Sequence, residues 1–564
     1  MSMRIRHSIQ QWLISGLAII FTVTAYSNPI VALSDTAKIE GNNSQGVDYF
    51  LGIPYAKAPI GSLRWQSPQP ADPIQSTLQA TQKGAICPQW QKGKFQGQED
   101  CLNLDIYRPD HNKNNLPILI YIHGGNNQTG EAHEFDPRAL AKSLDAIIVQ
   151  VNYRLGVLGF NPLKAIKTKD PIQASGNFGL LDQHVALQWI QKNIKYFGGR
   201  ADQITVAGFS AGGRDVMAML ISPLFKDLFQ QAIVFSGGMT TAPVVPSQEV
   251  FRQAFAPLIV EDKIKPNLMD AKKWLEKGGD NVLNYLQKQS TERLAPLMKG
   301  AGIRMSHFPH LYRDGVVIPK EGFATTQYNS VPVIMLSGQT EFSFFALSDP
   351  YFVKAWHSGT LSKDPILLNQ YQFTSNYGSK LYSLFNVQKS AEQMFEHYQS
   401  PIYGAEIAFG TNPFVAQNSQ MELIGSFHGV FMPLLDQNWQ QALLGETFQK
   451  AGTRDLAKHF QAYLKRFIRT GNPNDPDLVN WLTWSPEHEQ QGQSLLILNA
   501  NKYKALIQMS SKSYDESNLL EAIKNDHRLP EQAKTQMIKH VLNGRWFSDA
   551  LDQEFNNPSL WSKQ

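Results

Sequence analysis

Short apolar runs rich in β-branched residues recur along the chain and alternate with segments of helical periodicity. The runs have the length and composition of buried strands, and they lie at residues 118–122, 147–151, 204–207, 233–235, 331–336 and 495–498. The clearest helical segment covers residues 181–197, where apolar side chains recur at four-residue steps until Gly198 ends the pattern. This alternation predicts a mostly parallel central sheet with helices on both faces.

Two long segments depart from the alternation. Residues 245–330 and 350–420 are rich in helix formers, and we interpret them as helical insertions at one end of the sheet, where lids and ligand pockets usually lie. The polar tail over 511–564 also has a helical pattern, with a break at Pro530. The sequence therefore predicts one α/β domain over 28–510 with two insertions, followed by a C-terminal helical extension.

The composition is that of a folded globular protein, since 42% of the residues are hydrophobic and 18% are charged. The formal net charge is only +4 at pH 7, and the sequence contains no basic tract. This balance argues against a nucleic-acid partner, because nucleic-acid binding depends on clustered Lys and Arg side chains.

Residues 1–27 have the pattern of a secretory signal peptide. A basic start precedes an apolar stretch over 13–24, and Ala25 and Ser27 are small residues that fit a cleavage site. An uncleaved membrane anchor is the alternative, although the apolar stretch is short for a span of about 20 residues. No other stretch is long and apolar enough to cross a bilayer. We therefore predict an exported protein, periplasmic or secreted, with no stable membrane span after signal cleavage.

Cys87 and Cys101 are the two cysteines of the chain. In an exported protein a lone pair is expected to be bonded, which would close a loop of about 15 residues and contribute roughly 3 kcal/mol to stability. Two reduced, structural thiols are the alternative that the residues themselves leave open.

A serine lies between two glycines at the end of one predicted strand, in the run Gly208-Phe209-Ser210-Ala211-Gly212. A tight strand-to-helix turn needs small neighbours because backbone atoms crowd there, and it exposes the serine hydroxyl at the carboxyl end of the sheet. The helix that follows points its N-terminus at developing negative charge. Such a run also occurs by chance in ordinary glycine-rich loops, so this motif alone leaves both interpretations open.

A second motif lies upstream, where the predicted strand 118–122 runs into His123, two glycines and two asparagines. A strand followed by His-Gly-Gly is typical of the loop in lipases and esterases whose backbone N–H groups bind an oxyanion. The candidate donors are the N–H groups of Gly125, Asn126 and Ala211. Two such motifs in the expected order favour a catalytic interpretation over chance.

Several further stretches resemble the type-B carboxylesterases, a family that includes cholinesterases and bacterial para-nitrobenzyl esterases. They are similar to the family's N-terminal signature, its Glu-Asp-Cys-Leu block and two later blocks, and they begin at Gly52, Glu99, Val151 and Gly176. The resemblance covers roughly residues 38–510 and implies an α/β-hydrolase fold. It also implies a disulfide that joins Cys87 to Cys101.

The same resemblance selects the base and the acid that a serine nucleophile requires. The chain has 14 histidines, and His428 lies in a Gly-Ser-Phe-His-Gly run that resembles the family's catalytic-histidine loop. Glu341 follows the predicted strand 331–336 at the place of the family's acid, with Phe342 where the family usually has glycine. Glu422, which is near the histidine in sequence, is a weaker rival for the role of the acid.

Three positions depart from the family pattern. Asn126 stands where Gly or Ala is common in the oxyanion loop, and Phe209 and Phe431 stand where acidic residues are frequent. Because an unpaired buried carboxylate is costly, the loss of both carboxylates together is physically coherent. We expect Phe209 and Phe431 to line an apolar pocket that favours neutral, apolar esters over cationic choline esters.

Arg214 and Asp215 follow in the first turn of the helix after the serine motif. The helix dipole favours an acidic side chain at this end and disfavours a basic one. Two interpretations are open at this point: a pair with a buried partner, and a plain solvated pair.

The leading hypothesis is an exported serine hydrolase of carboxylic esters that works through an acyl-enzyme, with no metal or organic cofactor implied. Its expected partner is a small-molecule ester. A lipase or polyester hydrolase with the same chemistry is one alternative. A non-catalytic binding protein on this fold is another, but such proteins typically lose a triad member, and here Ser210, Glu341 and His428 are all present.

Overall fold

The structure of the protein, a computed structural model, describes residues 28–298, 300, 305, 307–410, 419–510, 515–542 and 548–556. The predicted signal peptide at 1–27 lies outside the described residues, as do parts of the predicted C-terminal extension. Within the described ranges, no helix is long and apolar enough to cross a membrane.

The strands of the described chain are numbered in chain order. They are β1 (Ile30–Ala32), β2 (Lys38–Glu40), β3 (Asn42–Ser44), β4 (Val47–Pro54), β5 (Thr77–Gln79), β6 (Gln89–Gln91), β7 (Lys94–Gln96), β8 (Asn103–Pro109), β9 (Leu116–Ile122), β10 (Ile147–Val151), β11 (Gly199–Phe209), β12 (Gln231–Phe235), β13 (Val333–Gly338), β14 (Ile402–Ile407), β15 (Leu495–Ala500) and β16 (Ala505–Met509).

A large mixed sheet organises these strands in the order β16-β15-β14-β13-β12-β11-β9-β10-β8-β4-β3. Neighbouring strands from β15 to β10 run parallel, whereas β16 at one edge and β8, β4 and β3 at the other pair antiparallel. Two small sheets accompany it, one of β1, β2 and β5 and one of β6 and β7. The predicted mostly parallel central sheet is confirmed, and all six predicted strand runs lie in it.

Strand β9 shows why the central strands are continuous apolar runs. Every residue of β9 is buried, and successive side chains point to opposite faces of the sheet. Ile118, Ile120 and Ile122 belong to one hydrophobic core, and Leu119 and Tyr121 belong to the other. Because both faces of the sheet are covered, a polar residue at any position of β9 would be buried. The strand therefore lacks the alternation of apolar and polar residues that a half-exposed strand shows.

Helices flank the sheet and connect most of its parallel strands. The α-helices span Arg138–Leu144, Gly156–Gly159, Phe178–Asn193, Ala211–Ile221, Val244–Glu261, Leu268–Lys277, Asp280–Gln287, Thr291–Leu294, Ser343–Leu347, Val353–His357, Pro365–Ser383, Ser390–Phe395, Ser419–Ile424, Met432–Leu435, Gln441–Leu444, Ala451–Thr470, Pro486–Gln490, Glu516–Lys524, Glu531–Gln536 and Asp549–Glu554. The helix predicted over 181–197 is confirmed, with its last turn in 3-10 geometry and Gly198 in a left-handed conformation at its end.

The two segments interpreted as insertions differ in content. Among its described residues, segment 245–330 contains helices and no strand. Segment 350–420 contains the long helix Pro365–Ser383 but also β14, which pairs with β13 and β15 in the central sheet. The second segment therefore contributes to the sheet as well as to the helices beside it.

The C-terminal tail packs on the long helix Pro365–Ser383. The Tyr377 hydroxyl of that helix donates to the Ala522 carbonyl oxygen at 2.9 Å and also contacts Asp526 Oδ2 at 2.9 Å. Pro530 lies between the helices Glu516–Lys524 and Glu531–Gln536 and directly precedes the second of them.

Candidate active site

The candidate nucleophile lies on a sharp turn between β11 and the helix Ala211–Ile221. Ser210 has φ 55° and ψ −114°, a conformation that L-residues rarely adopt, and its N–H donates to the Phe235 carbonyl oxygen at 2.8 Å. The chain is so close here that a Cβ on Gly208 would lie 2.2 Å from the Gly212 carbonyl oxygen. The two glycines of the motif are therefore steric requirements of the turn.

The loop after β9 lies beside this serine. A Cβ on Gly124 would lie 3.2 Å from the Ser210 Cβ atom, and the next residues, Gly125 and Asn126, have φ of 99° and 57°. Irregular backbone of this kind can present successive N–H groups to one anion. Within the described chain, the N–H groups of Gly125, Asn126 and Ala211 donate to no protein acceptor. All three are therefore available to a ligand.

Asn127 ties this loop to the helix that carries Asp215. Asn127 Nδ2 donates to Asp215 Oδ1 at 2.8 Å, and Gln183 Nε2 donates to Asp215 Oδ2 at 2.7 Å. The Tyr153 hydroxyl donates to Asn127 Oδ1 at 2.9 Å. Asp215 is fully buried, and burial raises its pKa to about 7. Of the two interpretations of Arg214 and Asp215, the structure supports buried partners rather than a solvated pair.

His428 and Glu341 meet although 87 positions separate them in sequence. His428 Nδ1 and Glu341 Oε2 are 2.5 Å apart. The other carboxylate oxygen, Oε1, accepts from the Gly338 N–H at 2.6 Å and from the Ser236 hydroxyl. Because both oxygens are engaged and the side chain is fully buried, Glu341 is held in one orientation. This orientation leaves the Nε2 atom of the imidazole available for proton transfer.

The surroundings of the Glu341 carboxylate bear on two points from the sequence, which are the replacement of glycine by Phe342 and the choice between Glu341 and Glu422 as the acid. Phe342 has φ −76° and ψ −10°, ordinary helical backbone that requires no glycine. Glu422 is exposed to solvent, whereas Glu341 is buried against His428. The geometry therefore favours Glu341 over Glu422 as the partner of His428.

Aromatic rings surround the imidazole of His428. The ring centroids of Phe209, Phe345 and Tyr382 lie 4.7, 4.9 and 6.0 Å from the imidazole centroid. Phe431 contacts Phe209 edge-on with 5.0 Å between centroids and is buried. The two phenylalanines at positions where the family pattern often has acidic residues therefore lie together, with Phe209 beside His428 and Phe431 behind Phe209.

Several residues of this site were not found by sequence reasoning. They are Ser236, which donates to Glu341, and the aromatic residues Tyr153, Phe345 and Tyr382. A signal existed for Ser236, because a Ser-Gly-Gly run directly follows a buried strand and so lies at the same edge of the sheet. Tyr153 follows β10 by two residues and has the same signal, whereas Phe345 and Tyr382 have none, since their contacts depend on distant segments of the chain.

Cys87 and Cys101 form a disulfide, in agreement with the family resemblance. The closed loop contains the hairpin of β6 and β7, and Trp90 on this hairpin is 43% exposed. Trp90 also borders a cavity of about 240 Å³ whose walls include Gly125 and Asn126. The disulfide loop therefore forms part of the surroundings of the candidate oxyanion donors.

Three kinds of group are thus brought to the carboxyl edge of the sheet: a hydroxyl on a strained turn, an imidazole held by a buried carboxylate, and unused backbone N–H groups. This set provides what acyl transfer through an oxyanion requires. In the part of the chain that the structure describes, no group of three or more His, Cys, Asp or Glu side chains could hold a metal ion.

Comparison with known proteins agrees with this chemistry. A sequence model of the Carboxylesterase family matches residues 27–406. The chain belongs to the carboxylesterase family. Carboxylesterase 1D of Rattus norvegicus is 29% identical to it over 506 residues, which cover 79% of this chain and 85% of the rat protein. Carboxylesterase 1F of Mus musculus is 35% identical over 340 residues, which cover 55% of this chain and 58% of the mouse protein.

A solved structure of a PNB esterase also matches this carboxylesterase, with a TM-score of 0.65 and 25% sequence identity. The match covers 88% of this chain and 99% of that structure. The predicted family and the predicted α/β-hydrolase fold are confirmed. Membership of the family supports hydrolysis of small-molecule carboxylic esters by a serine hydrolase.

Proposed function

We propose that this carboxylesterase cleaves esters with Ser210 as the nucleophile, His428 as the general base and Glu341 as the carboxylate that orients the base. The observation that carries the proposal is the 2.5 Å contact between His428 Nδ1 and Glu341 Oε2. A carboxylate at this atom favours the tautomer with the proton on Nδ1 and the lone pair on Nε2.

The reaction starts when Ser210 Oγ attacks the acyl carbon and His428 Nε2 accepts the hydroxyl proton. The buried carboxylate beside the imidazole stabilises the imidazolium that forms. Negative charge develops on the former carbonyl oxygen, and the N–H groups of Gly125, Asn126 and Ala211 donate to it.

Collapse of this intermediate breaks the bond to the alcohol. His428 gives its proton to the departing alkoxide, and an acyl group remains on Ser210. A water molecule then loses a proton to the same imidazole and attacks the acyl carbon. The second collapse releases the carboxylic acid and restores the hydroxyl of Ser210.

A preference for neutral, apolar esters over cationic choline esters forms part of the proposal. Phe209 beside His428, and Phe431 packed on Phe209, occupy positions that are often acidic in the family, so no carboxylate from these positions attracts a cation. The nearby Arg214 is a buried cation and repels a second positive charge.

Export is a further part of the proposal, into the periplasm or the medium. It is supported by the signal-like pattern of residues 1–27 and by the disulfide between Cys87 and Cys101, which an oxidising compartment maintains. N-terminal sequencing of the protein recovered outside the cytoplasm should begin at residue 28. A protein that keeps the leader and sediments with membranes would show an anchor instead.

The proposed chemistry is tested by an organophosphonate probe that labels activated serines. We expect covalent labelling of the wild type, no labelling of Ser210→Ala, and normal labelling of Ser348→Ala, whose serine is exposed. Ester hydrolysis should follow the same pattern. The absence of Ser210-dependent labelling would favour a non-catalytic binding protein on this fold. A panel of soluble esters, emulsified triacylglycerols and polyester films separates an esterase from a lipase or polyester hydrolase.

A further inference from the structure

Arg214 is a buried cation that uses few of its donors within the described chain. Arg214 as a whole residue is only 3% exposed to solvent. Its Nη2 atom lies 3.4 Å from the Tyr382 hydroxyl oxygen, while Nε and Nη1 have no partner among the described residues. A guanidinium in this state is unfavourable, because burial removes its hydration and only one weak contact replaces it.

Neither nearby carboxylate supplies the missing acceptor. The two oxygens of Asp215 accept from Asn127 and Gln183. The two oxygens of Glu341 are taken by His428 and by donors at the ends of β12 and β13. The positive charge of the guanidinium is therefore not neutralised by a hydrogen-bonded carboxylate in the described structure.

Other polar atoms around the guanidinium also lack partners. Asn386 interacts with Tyr382, and its Nδ2 atom is buried without a hydrogen-bond partner among the described residues. His310 is fully buried, and burial, with the charge of Arg214 as a second cause, lowers its pKa to about 3. His310 is therefore neutral near pH 7 and adds no second charge. We refer to Arg214, Tyr382 and Asn386 as the Arg214 cluster.

The Arg214 cluster adjoins the reacting groups. Arg214 lies four residues after Ser210, a rise of about 6 Å along a helix, and its N–H donates to the Ser210 carbonyl oxygen at 3.0 Å. Tyr382 connects the cluster to the base, since its hydroxyl contacts the guanidinium and its ring centroid lies 6.0 Å from that of His428.

We propose that the Arg214 cluster is a second, polar subsite of the ester pocket, which binds an ionised carboxylate carried by the substrate. Guanidinium N–H groups and carboxylate oxygens are matched hydrogen-bonding partners, and Asn386 supplies a further donor. The inference rests on the proposed function and extends its charge preference, since esters with a distant carboxylate are favoured over neutral esters, and neutral esters over cationic ones. The part of the substrate beside His428 is apolar and uncharged, and the far end carries the carboxylate, as in the hemiester of a dicarboxylic acid.

Wild-type substrate preference tests the proposal first. The substrates are methyl hemiesters of dicarboxylic acids from succinate to suberate, methyl esters of monocarboxylic acids of equal length, and matching ω-hydroxy esters, with acid release followed in a pH-stat. At one chain length, we expect kcat/KM for the hemiester to exceed that of its neutral counterpart by about 10- to 100-fold. O-acetyl hydroxy acids place the carboxylate on the alcohol side and identify which half of the substrate reaches the cluster.

Variants at Arg214 test the assignment of the subsite. Arg214→Met removes the charge at similar length and should bring the hemiester-to-neutral ratio close to one. Arg214→Lys keeps a point charge with fewer donors and should retain part of the preference. Arg466→Met removes an exposed arginine from another helix and should keep the wild-type ratio.

Several outcomes would overturn the subsite. One is a wild type that cleaves neutral or hydroxy esters at least as well as every hemiester, a result that needs no variant. Another is a folded Arg214→Met protein in which all ester rates fall together, which would make Arg214 a structural residue. If that variant does not fold, inhibition of the wild type decides the question. Competitive inhibition by adipate but not by hexanoate would support the subsite, and equal inhibition by the two would overturn it. A wild type that shows no Ser210-dependent hydrolysis of any ester would contradict the proposed function itself.

Discussion

Glu341 accepts hydrogen bonds from a backbone N–H, a serine hydroxyl and an imidazole, so both of its carboxylate oxygens are bonded to groups of the protein. His428 lies under three aromatic rings and has this one carboxylate partner at Nδ1. A single atom of Glu341 therefore controls which nitrogen of the imidazole carries the proton.

Replacement of Glu341 by Gln tests this control. The amide of Gln is similar in shape but does not stabilise the imidazolium, and its NH₂ group favours the wrong tautomer of His428. We expect Glu341→Gln to lower kcat/KM by about 10³- to 10⁴-fold while circular dichroism remains that of the wild type. Glu422→Gln is the matched control, since Glu422 is exposed. A large loss in the control and a small one in Glu341→Gln would reverse the assignment of the acid.

The residues beside His428 also predict discrimination by charge. With Phe209 and Phe431 in place of acidic residues, and with Arg214 buried nearby, a cationic alcohol group meets repulsion without a compensating carboxylate. We expect kcat/KM for dimethylbutyl acetate to exceed that for acetylcholine, its charged isostere, by about tenfold or more. Faster hydrolysis of the choline ester would contradict the proposed preference.

At the scale of elements, the disulfide loop joins a surface hairpin to the central sheet. Cys87 precedes β6, Cys101 precedes β8, and the two are 14 positions apart. In the chain-entropy picture, the cross-link stabilises the folded state because it restricts the unfolded chain.

Removal of the cross-link should therefore lower stability. We expect the double variant Cys87→Ser, Cys101→Ser to lose roughly 3 kcal/mol of unfolding free energy, measured by urea denaturation. The wild type treated with a reductant should approach the same value, which controls for the serine side chains. Equal stability of the wild type and the double variant would contradict a bonded pair.

The strands differ in how clearly the sequence marks them. Strands such as β9 and β10 are unbroken apolar runs, since they are covered on both faces. Strand β14 is just as buried, but Gly404 and Glu406 interrupt its pattern. Glu406 is tolerated there because Gln339 Nε2 donates to its carboxylate at 3.1 Å, a contact that no local pattern reveals.

At the scale of the whole molecule, three buried carboxyl groups retain protons unusually well. Burial is the main cause that raises the pKa of Glu134, Asp215 and Glu406 to about 7 in each case. In the unfolded chain the pKa of such groups is about 4. Between these values the folded protein binds more protons than the unfolded one. Their contribution to stability is therefore fully present below about pH 4 and is lost as the pH rises through about 7.

Glu406→Gln isolates one of these contributions, because the amide does not titrate. As the pH rises from about 4 to about 8, we expect the wild type to lose stability relative to this variant. Thermal unfolding of both proteins across that range measures the change in the difference of Tm. Glu292→Gln changes an exposed residue and should differ from the wild type by a constant amount. A pH-independent difference for Glu406→Gln would show that the pKa of Glu406 is the same in the folded and the unfolded protein.

The local structure of short segments follows from physical constraints on those segments, and the sequence by itself was sufficient to predict it. A tight turn at Ser210 requires glycines on both sides, since added Cβ atoms would meet backbone, and doubly covered strands require continuous apolar residues. The family resemblance indicated Glu341 and His428 as partners, but contacts between distant segments form only in the tertiary structure. Glu341 reaches His428 across 87 positions and Asn127 reaches Asp215 across 88. Burial and hydrogen bonding arise between distant segments. The sequence therefore left open whether Arg214 is buried or solvated, and only the structure shows it buried without a carboxylate partner among the described residues.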